Sequence, residues 1–139
     1  MYLLDTNVVS ELRRPRPHGA VLDWVAGVPA EHLFVSAVTV GEIQAGIEIT
    51  REQDGPKAAE LEAWLDKVLA SYGVLPMDTS TFREWARLMH RRSETVSEDA
   101  MIAATAIVHR LTVVTRNTSD FLRFGVDLFN PWPDGRLPA

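Results

Sequence analysis

The chain has 139 residues, enough to bury one ordinary core, and its 46% hydrophobic and 24% charged residues are a globular balance. With no cysteine, disulfides, thiolate metal sites and a cysteine nucleophile are excluded together, which suits a reducing cytoplasm. The net charge of −5 repels a polyanion overall, so a nucleic-acid partner must be held by local basic groups or bound cations.

In chain order, Tyr2–Leu4 is a short apolar strand ending at Asp5, and a helix is expected over Thr6–Leu12, closed by the RRPRP stretch because proline disfavours helix at and before its own position. A second short helix fits residues 19–27, a strand fits 32–36, and a helix fits 39–51. After the Gly55-Pro56 break, Leu61, Trp64, Leu65, Val68, Leu69 and Tyr72 recur at steps of three and four, the stripe of a buried helix face. Residues 73–77 are a strand candidate. A helix over 80–92 follows, with Phe82, Trp85, Ala86 and Met89 on one face. Next come a helix over Ser97–His109, a strand over Thr112–Thr115, a short helical turn over Ser119–Phe124 and a last strand over 126–130. The tail from 133 to 139 is expected to fray, within a single domain spanning 1–139.

No apolar run approaches the roughly 20 residues of a membrane span. The N-terminal MYLLDTNVV lacks the basic-then-apolar pattern of a secretory signal, so a cytoplasmic protein without membrane attachment is expected. Buried strands alternating with helices imply an α/β fold, a three-layer α/β/α sandwich around a parallel sheet. In such a sheet, strand C-termini and helix N-termini share one edge, and ligands bind there.

The acids fall on that edge. Asp5 ends the first strand, Glu42 is expected in the first turn after the second, Asp99 opens the helix before the fourth, and Asp120 follows that strand. Taken singly, each has an ordinary explanation. Thr39 and Glu42 fit a capping box, Ser97 is placed to cap its helix beside Glu98 and Asp99, and Asp120 suits a turn. Asp5 has no such excuse, since Thr6 is placed to cap and acids are depleted in strands. Gathered together, carboxylates repel by roughly 4 kcal/mol per pair about 4 Å apart at an effective dielectric of 20, more than dipole effects repay. An all-oxygen donor set, with His18, His32, His90 and His109 scattered, points to Mg²⁺ or Mn²⁺. The corresponding chemistry is phosphate-ester hydrolysis by an acidified water, with no side-chain nucleophile.

The segments LLDTNVVSEL, VSAVTVGEIQAGI, EDAMIAATAIVHRLTVVTRNTSDF and LFNPW resemble, in order and spacing, the PIN-domain family, in particular the FitB-like group of VapC-type toxins from bacterial toxin–antitoxin pairs. The resemblance runs from Tyr2 to Trp132. It implies a parallel sheet of about five strands and Mg²⁺- or Mn²⁺-dependent RNA cleavage. By position, Asp5 and Asp99 are then the main metal ligands, Glu42 completes the shell or orients water, and Asp120 holds a second ion or an ordered water. Thr115 and Asn117 match polar positions lining the site, and Asn7 and Ser36 are expected to hydrogen-bond the carboxylates. Asn117 stands where many members carry Asp, leaving less charge for a second ion.

Arg116 is a candidate grip on the RNA backbone, with a surface arginine or an internal partner for a site acid as the competing reading. Glu98 is given no role, because neighbours on a helix diverge and it should face solvent. The resemblance further implies a homodimer and a small antitoxin that places a basic side chain in the acidic groove, with higher assembly of the pair possible. Two other readings stay open. One is a PIN-like module that binds RNA or protein without cutting. The other is a phosphatase or phosphotransferase using Asp5 as nucleophile, disfavoured because Asn7 replaces the usual second acid and the two lysines, Lys57 and Lys67, sit on the middle helix.

Overall fold

A computed structural model describes residues 1–133, and the tail expected to fray lies, beyond Pro133, outside the described residues. The strands are β1 (Tyr2–Leu4), β2 (Leu33–Ser36), β3 (Gly73–Leu75), β4 (Thr112–Val114) and β5 (Leu128–Phe129). They form one parallel sheet in the order β3-β2-β1-β4-β5. The order reverses at β1, so the switch point, where neighbouring connections leave in opposite directions, lies between the ends of β1 and β4.

The helices are α1 (Thr6–Leu12), α2 (Gly19–Gly27), α3 (Ala37–Gln53), α4 (Gly55–Ser71), α5 (Thr79–Met89), α6 (Ser97–His109) and α7 (Thr118–Phe121), the last continuing into a 3-10 turn over Leu122–Phe124. The period-two pleat sends successive side chains of β1 to opposite faces. Leu4 joins Val8, Val9, Val21, Val35, Val114 and Trp132 beneath α1 and α2. Leu3 joins Ala103, Ile102, Val113, Phe121 and Phe124 beneath α6 and the last helical turns, with Trp85 and Leu88 of α5 packed beside them. Both faces of the sheet are therefore covered, which is the expected α/β/α sandwich.

The α3–α4 hairpin has its own small core of Ile47, Ala58 and Leu65 and is laced outside by Arg51, which bonds Glu48 at 2.9 Å and Glu62 at 2.8 Å. Gly73 is demanded by its register partner Phe34, since a Cβ there would stand 2.6 Å from the phenylalanine ring.

Several expected boundaries move. The expected helix over 80–92 ends at Met89, because Arg91 takes a left-handed φ of 63°. Arg92 then donates to the carbonyls of Leu88 and Arg123, so this basic cluster ties α5 to the turn after α7. The helix expected from Thr39 begins at Ala37. Ser36 caps it, accepting from the Val38 amide, so Thr39 lies inside the helix, no Thr39–Glu42 capping box forms, and Glu42 sits in the second turn and not the first. Ser97 does not cap α6, whose N-terminus has no side-chain cap bond. Asp5 does cap: its Oδ1 accepts from the Thr6 amide at 2.8 Å. No helix among the described residues is long and apolar enough to cross a membrane.

Candidate active site

Asp5 stands at the switch point, only 6% exposed. Burying a carboxylate is costly unless its oxygens are satisfied, and here each has donors. Oδ1 takes the Thr6 amide, and Oδ2 takes the Thr115 hydroxyl at 2.8 Å and the Asn7 side-chain amide at 3.1 Å. Thr115 directly follows β4 and is itself buried, so the pairing of β1 with β4 delivers its hydroxyl to Asp5. Thr115 Oγ1 also accepts from Asn7 Nδ2 at 3.2 Å and from the Asn117 main-chain amide at 3.0 Å. Asn7 Oδ1 in turn accepts from the Arg116 amide. Burial nevertheless raises the Asp5 pKa, with the charge of Asp120 adding to it, against the lowering pull of its bonds to Thr115, Thr6 and Asn7.

The other expected acids face the same region. Asp99, in the first turn of α6, is held up at about 6 from an ordinary 3.8 by burial and then by Asp5 and Asp120, while Arg123 pulls the other way. Glu42 is pushed to about 7 from 4.5 by burial, by the charge of Glu98 and by a hydrogen bond between their carboxyls. The Thr6 hydroxyl donates to Glu42 Oε1 at 3.2 Å and lies 3.1 Å from the buried Thr39 hydroxyl. The acids thus sense one another as Asp5–Asp99–Asp120 and as Glu42–Glu98, with Asp5 also felt at Glu42.

Two expected neighbours behave otherwise. Ser36 spends its Oγ on capping α3 and, among the described residues, bonds no carboxylate. Asn117 reaches the cluster through its main-chain amide, and its exposed side chain makes no hydrogen bond among the described residues. Conversely, Thr6, Thr39 and Arg123 join the cluster, and so does Glu98, which is exposed as expected yet turns its carboxyl to Glu42. Thr6 was legible only as the residue after Asp5. Nothing in the local pattern marks the rest.

Carboxylate oxygens are the donor set of a hard divalent cation, and their raised proton affinities reflect burial first and then mutual negative charge, both of which a bound cation would offset. Among the described residues no three acids or histidines converge into a ready cage.

Acids at the switch point of a parallel sheet place this chain among α/β domains whose ligand site lies at that edge. Residues 2–126 match the PIN domain, and the chain belongs to that family. It is 36% identical over 141 residues to the toxin FitB of Neisseria gonorrhoeae, covering 96% of this chain and 100% of that protein. It is 37% identical over 139 residues to the VapC ribonuclease Y4jK of Sinorhizobium fredii, covering 95% and 98%. The crystal structure of FitAcB from Neisseria gonorrhoeae superposes with a TM-score of 0.85 at 34% identity, covering 96% of this chain and 99% of that one.

Proposed function

We infer that this chain is an endoribonuclease, the toxin of a type II toxin–antitoxin pair, which hydrolyses RNA phosphodiester bonds as one PIN-like domain acting in the cytoplasm. The observation that carries the reading is the mutual electrostatic influence of Asp5, Asp99 and Asp120, which follow β1 or lie on α6 and α7, beside the switch point. Relatives named as a toxin and as a ribonuclease along nearly their whole length support it.

Asp5, Asp99, Glu42 and Asp120 would hold Mg²⁺ or Mn²⁺, with Asp5 and Asp99 as the principal ligands. When bound, the ion supplies an acidified water and compensates charge on the phosphate. Thr115, Asn7 and the Thr6 amide fix the orientation of Asp5, and the Thr6 hydroxyl fixes Glu42. Arg116, whose amide bonds Asn7 and whose guanidinium lies over the Trp132 ring at 5.3 Å, is the proposed grip on the RNA backbone.

The silencing partner is a small antitoxin, and an acidic cluster attracts its Arg or Lys as readily as a cation. A cavity of about 250 Å³ between α1 and the α3–α4 hairpin suits its apolar side chains, since Ile43, Ile47, Leu61 and Trp64 contribute to a wall that also includes Glu42. The active species is a homodimer, and light scattering of the protein with and without antitoxin measures it and any higher assembly of the pair.

The direct experiment incubates antitoxin-free protein with structured RNAs and Mg²⁺ or Mn²⁺ beside Asp5→Asn and Asp99→Asn. Cleavage by the wild type alone is expected. Equal cleavage by all three proteins would assign the activity to a contaminant and defeat the reading.

A further inference from the structure

Two cavities flank helix α1: one has Glu42 of the acidic cluster in its wall, and the other is linked to the cluster through Asn7, which bonds Asp5. Thr6, Ser10 and Arg13, at helical steps of four and three, line the apolar one described above. Asn7, Glu11 and Arg14 follow the same spacing one residue later and line a second cavity of about 420 Å³, with Arg13, Arg116 and Trp132 completing its wall. Asn7 belongs to both worlds: it bonds Asp5 at 3.1 Å and opens onto the second cavity.

We propose that this second cavity is a subsite for the single-stranded RNA flanking the cleaved bond, with Arg13 and Arg14 gripping its phosphates. The proposal rests on the ribonuclease reading above. Three of the chain's 14 basic side chains line this one space, although the protein carries a net charge of −5. A chain that repels polyanions overall needs such a local attraction if RNA is to approach a cluster of acids. The volume is of the size that holds a small ligand or single nucleotide.

The arginines are held on a built rim. Glu11 is only 7% exposed, accepts from the His18 main-chain amide at 2.9 Å and pairs with Arg14 at 3.5 Å, which pins the loop between α1 and α2. Arg14 remains 67% exposed, so it stays accessible to a ligand in this cavity. The Arg13 side chain makes no ion pair or hydrogen bond among the described residues and stands on the ridge between the two cavities. Arg116 lies over the Trp132 ring at 5.3 Å, which sets a cation and an aromatic side by side in this wall. The neighbouring cavity has one arginine, Arg13, with Glu42 beside Ile43, Ile47, Leu61 and Trp64, which suits a protein segment better than a polyanion.

The test measures two things. Steady-state cleavage is compared for the wild type, Arg13→Ala, Arg13→Lys and Arg14→Ala. Binding of a fluorescein-labelled oligoribonucleotide of alternating A and U, roughly a dozen nucleotides long, is followed against salt in an Asp99→Asn background. Arg13→Ala is expected to raise KM about five- to ten-fold with kcat within about two-fold, and to lower the slope of log K against log salt by about 0.7. Arg13→Lys should restore the slope. Arg14→Ala should act alike, but a melting curve accompanies it because Glu11 loses its partner.

Wild-type cleavage with unchanged KM and salt slope in both alanine variants overturns the subsite and leaves the nuclease reading standing. Absence of cleavage with an Arg13-dependent salt slope defeats the nuclease reading and supports the subsite. Displacement of the RNA by a glutamate-rich peptide as effectively as by unlabelled RNA of equal charge assigns the cavity to a protein partner and overturns the proposal.

Discussion

The Thr115 hydroxyl donates to Asp5 Oδ2 across 2.8 Å, joining the ends of β4 and β1 from positions 110 residues apart. This bond lies at the switch point of the sheet and is buried, so it combines the roles of structural pin and carboxylate orienter. Its single oxygen also receives Asn7 and the Asn117 amide.

Thr115→Val keeps the side-chain shape and removes those bonds. Stability should fall by about 1–3 kcal/mol, the cost of leaving buried polar groups unpaired. Divalent-ion affinity should fall by roughly 10–100-fold, as for loss of a group that orients a ligand. Chemical denaturation and titration calorimetry check the two effects separately. Unaltered ion affinity would show that Asp5 needs no bracing from β4.

Asp99→Asn should abolish RNA cleavage while raising the melting temperature of the metal-free protein. The repulsion of Asp99 by Asp5 and Asp120 precedes the attraction of Arg123 among the influences on it, so removing the charge relieves more than it loses. A melting temperature lower than wild type would contradict the repulsive account.

The pH dependence follows the same charges. Asp5, Asp99 and Glu42 bind protons more tightly folded than unfolded, Asp99 to about 6 from 3.8 and Glu42 to about 7 from 4.5. In that window the folded state holds more protons, so unfolding free energy falls as pH rises, and the contribution present below the ordinary carboxylate range is lost by about pH 7. Metal-free protein should therefore melt lower at about pH 7.5 than at about pH 5, and Mg²⁺ or Mn²⁺ should narrow the gap by stabilising the ionised acids. Melting scans with and without the cation decide it.

Glu98→Gln removes the charge that most raises Glu42 after burial. Glu42 should then ionise at lower pH, and the acid limb of the cleavage profile should move the same way, without loss of fold. Identical profiles for the two proteins would remove Glu98 from the site.

Gly73→Ala brings a methyl group to 2.6 Å from the Phe34 ring in a paired strand. Such overpacking costs about 1–3 kcal/mol, and a second change, Phe34→Leu, should recover part of it. Denaturation midpoints of the single and double variants measure the recovery.

Much was legible in the chain itself because its signals are local. Short apolar runs punctuated by helical stripes specify alternating strands and helices, and pleat and helix period then dictate which edge of a parallel sheet receives Asp5, Asp99 and Asp120. Proline and glycine mark the breaks after α1 and before α4 for reasons confined to their own backbone. What only the tertiary structure decided are the relations between side chains brought together from separate elements: Ser36 turned to its own helix and away from the acids, Thr6 and Thr39 gathered around Glu42, Arg123 near Asp99. Glu98 belongs there too, since helical period places it towards solvent but says nothing of what stands opposite on α3. Burial, mutual charge and hydrogen-bond partners are properties of three-dimensional neighbours, and strand order, which sets those neighbours here, is fixed by packing both faces of the sheet at once and by no single stretch of residues.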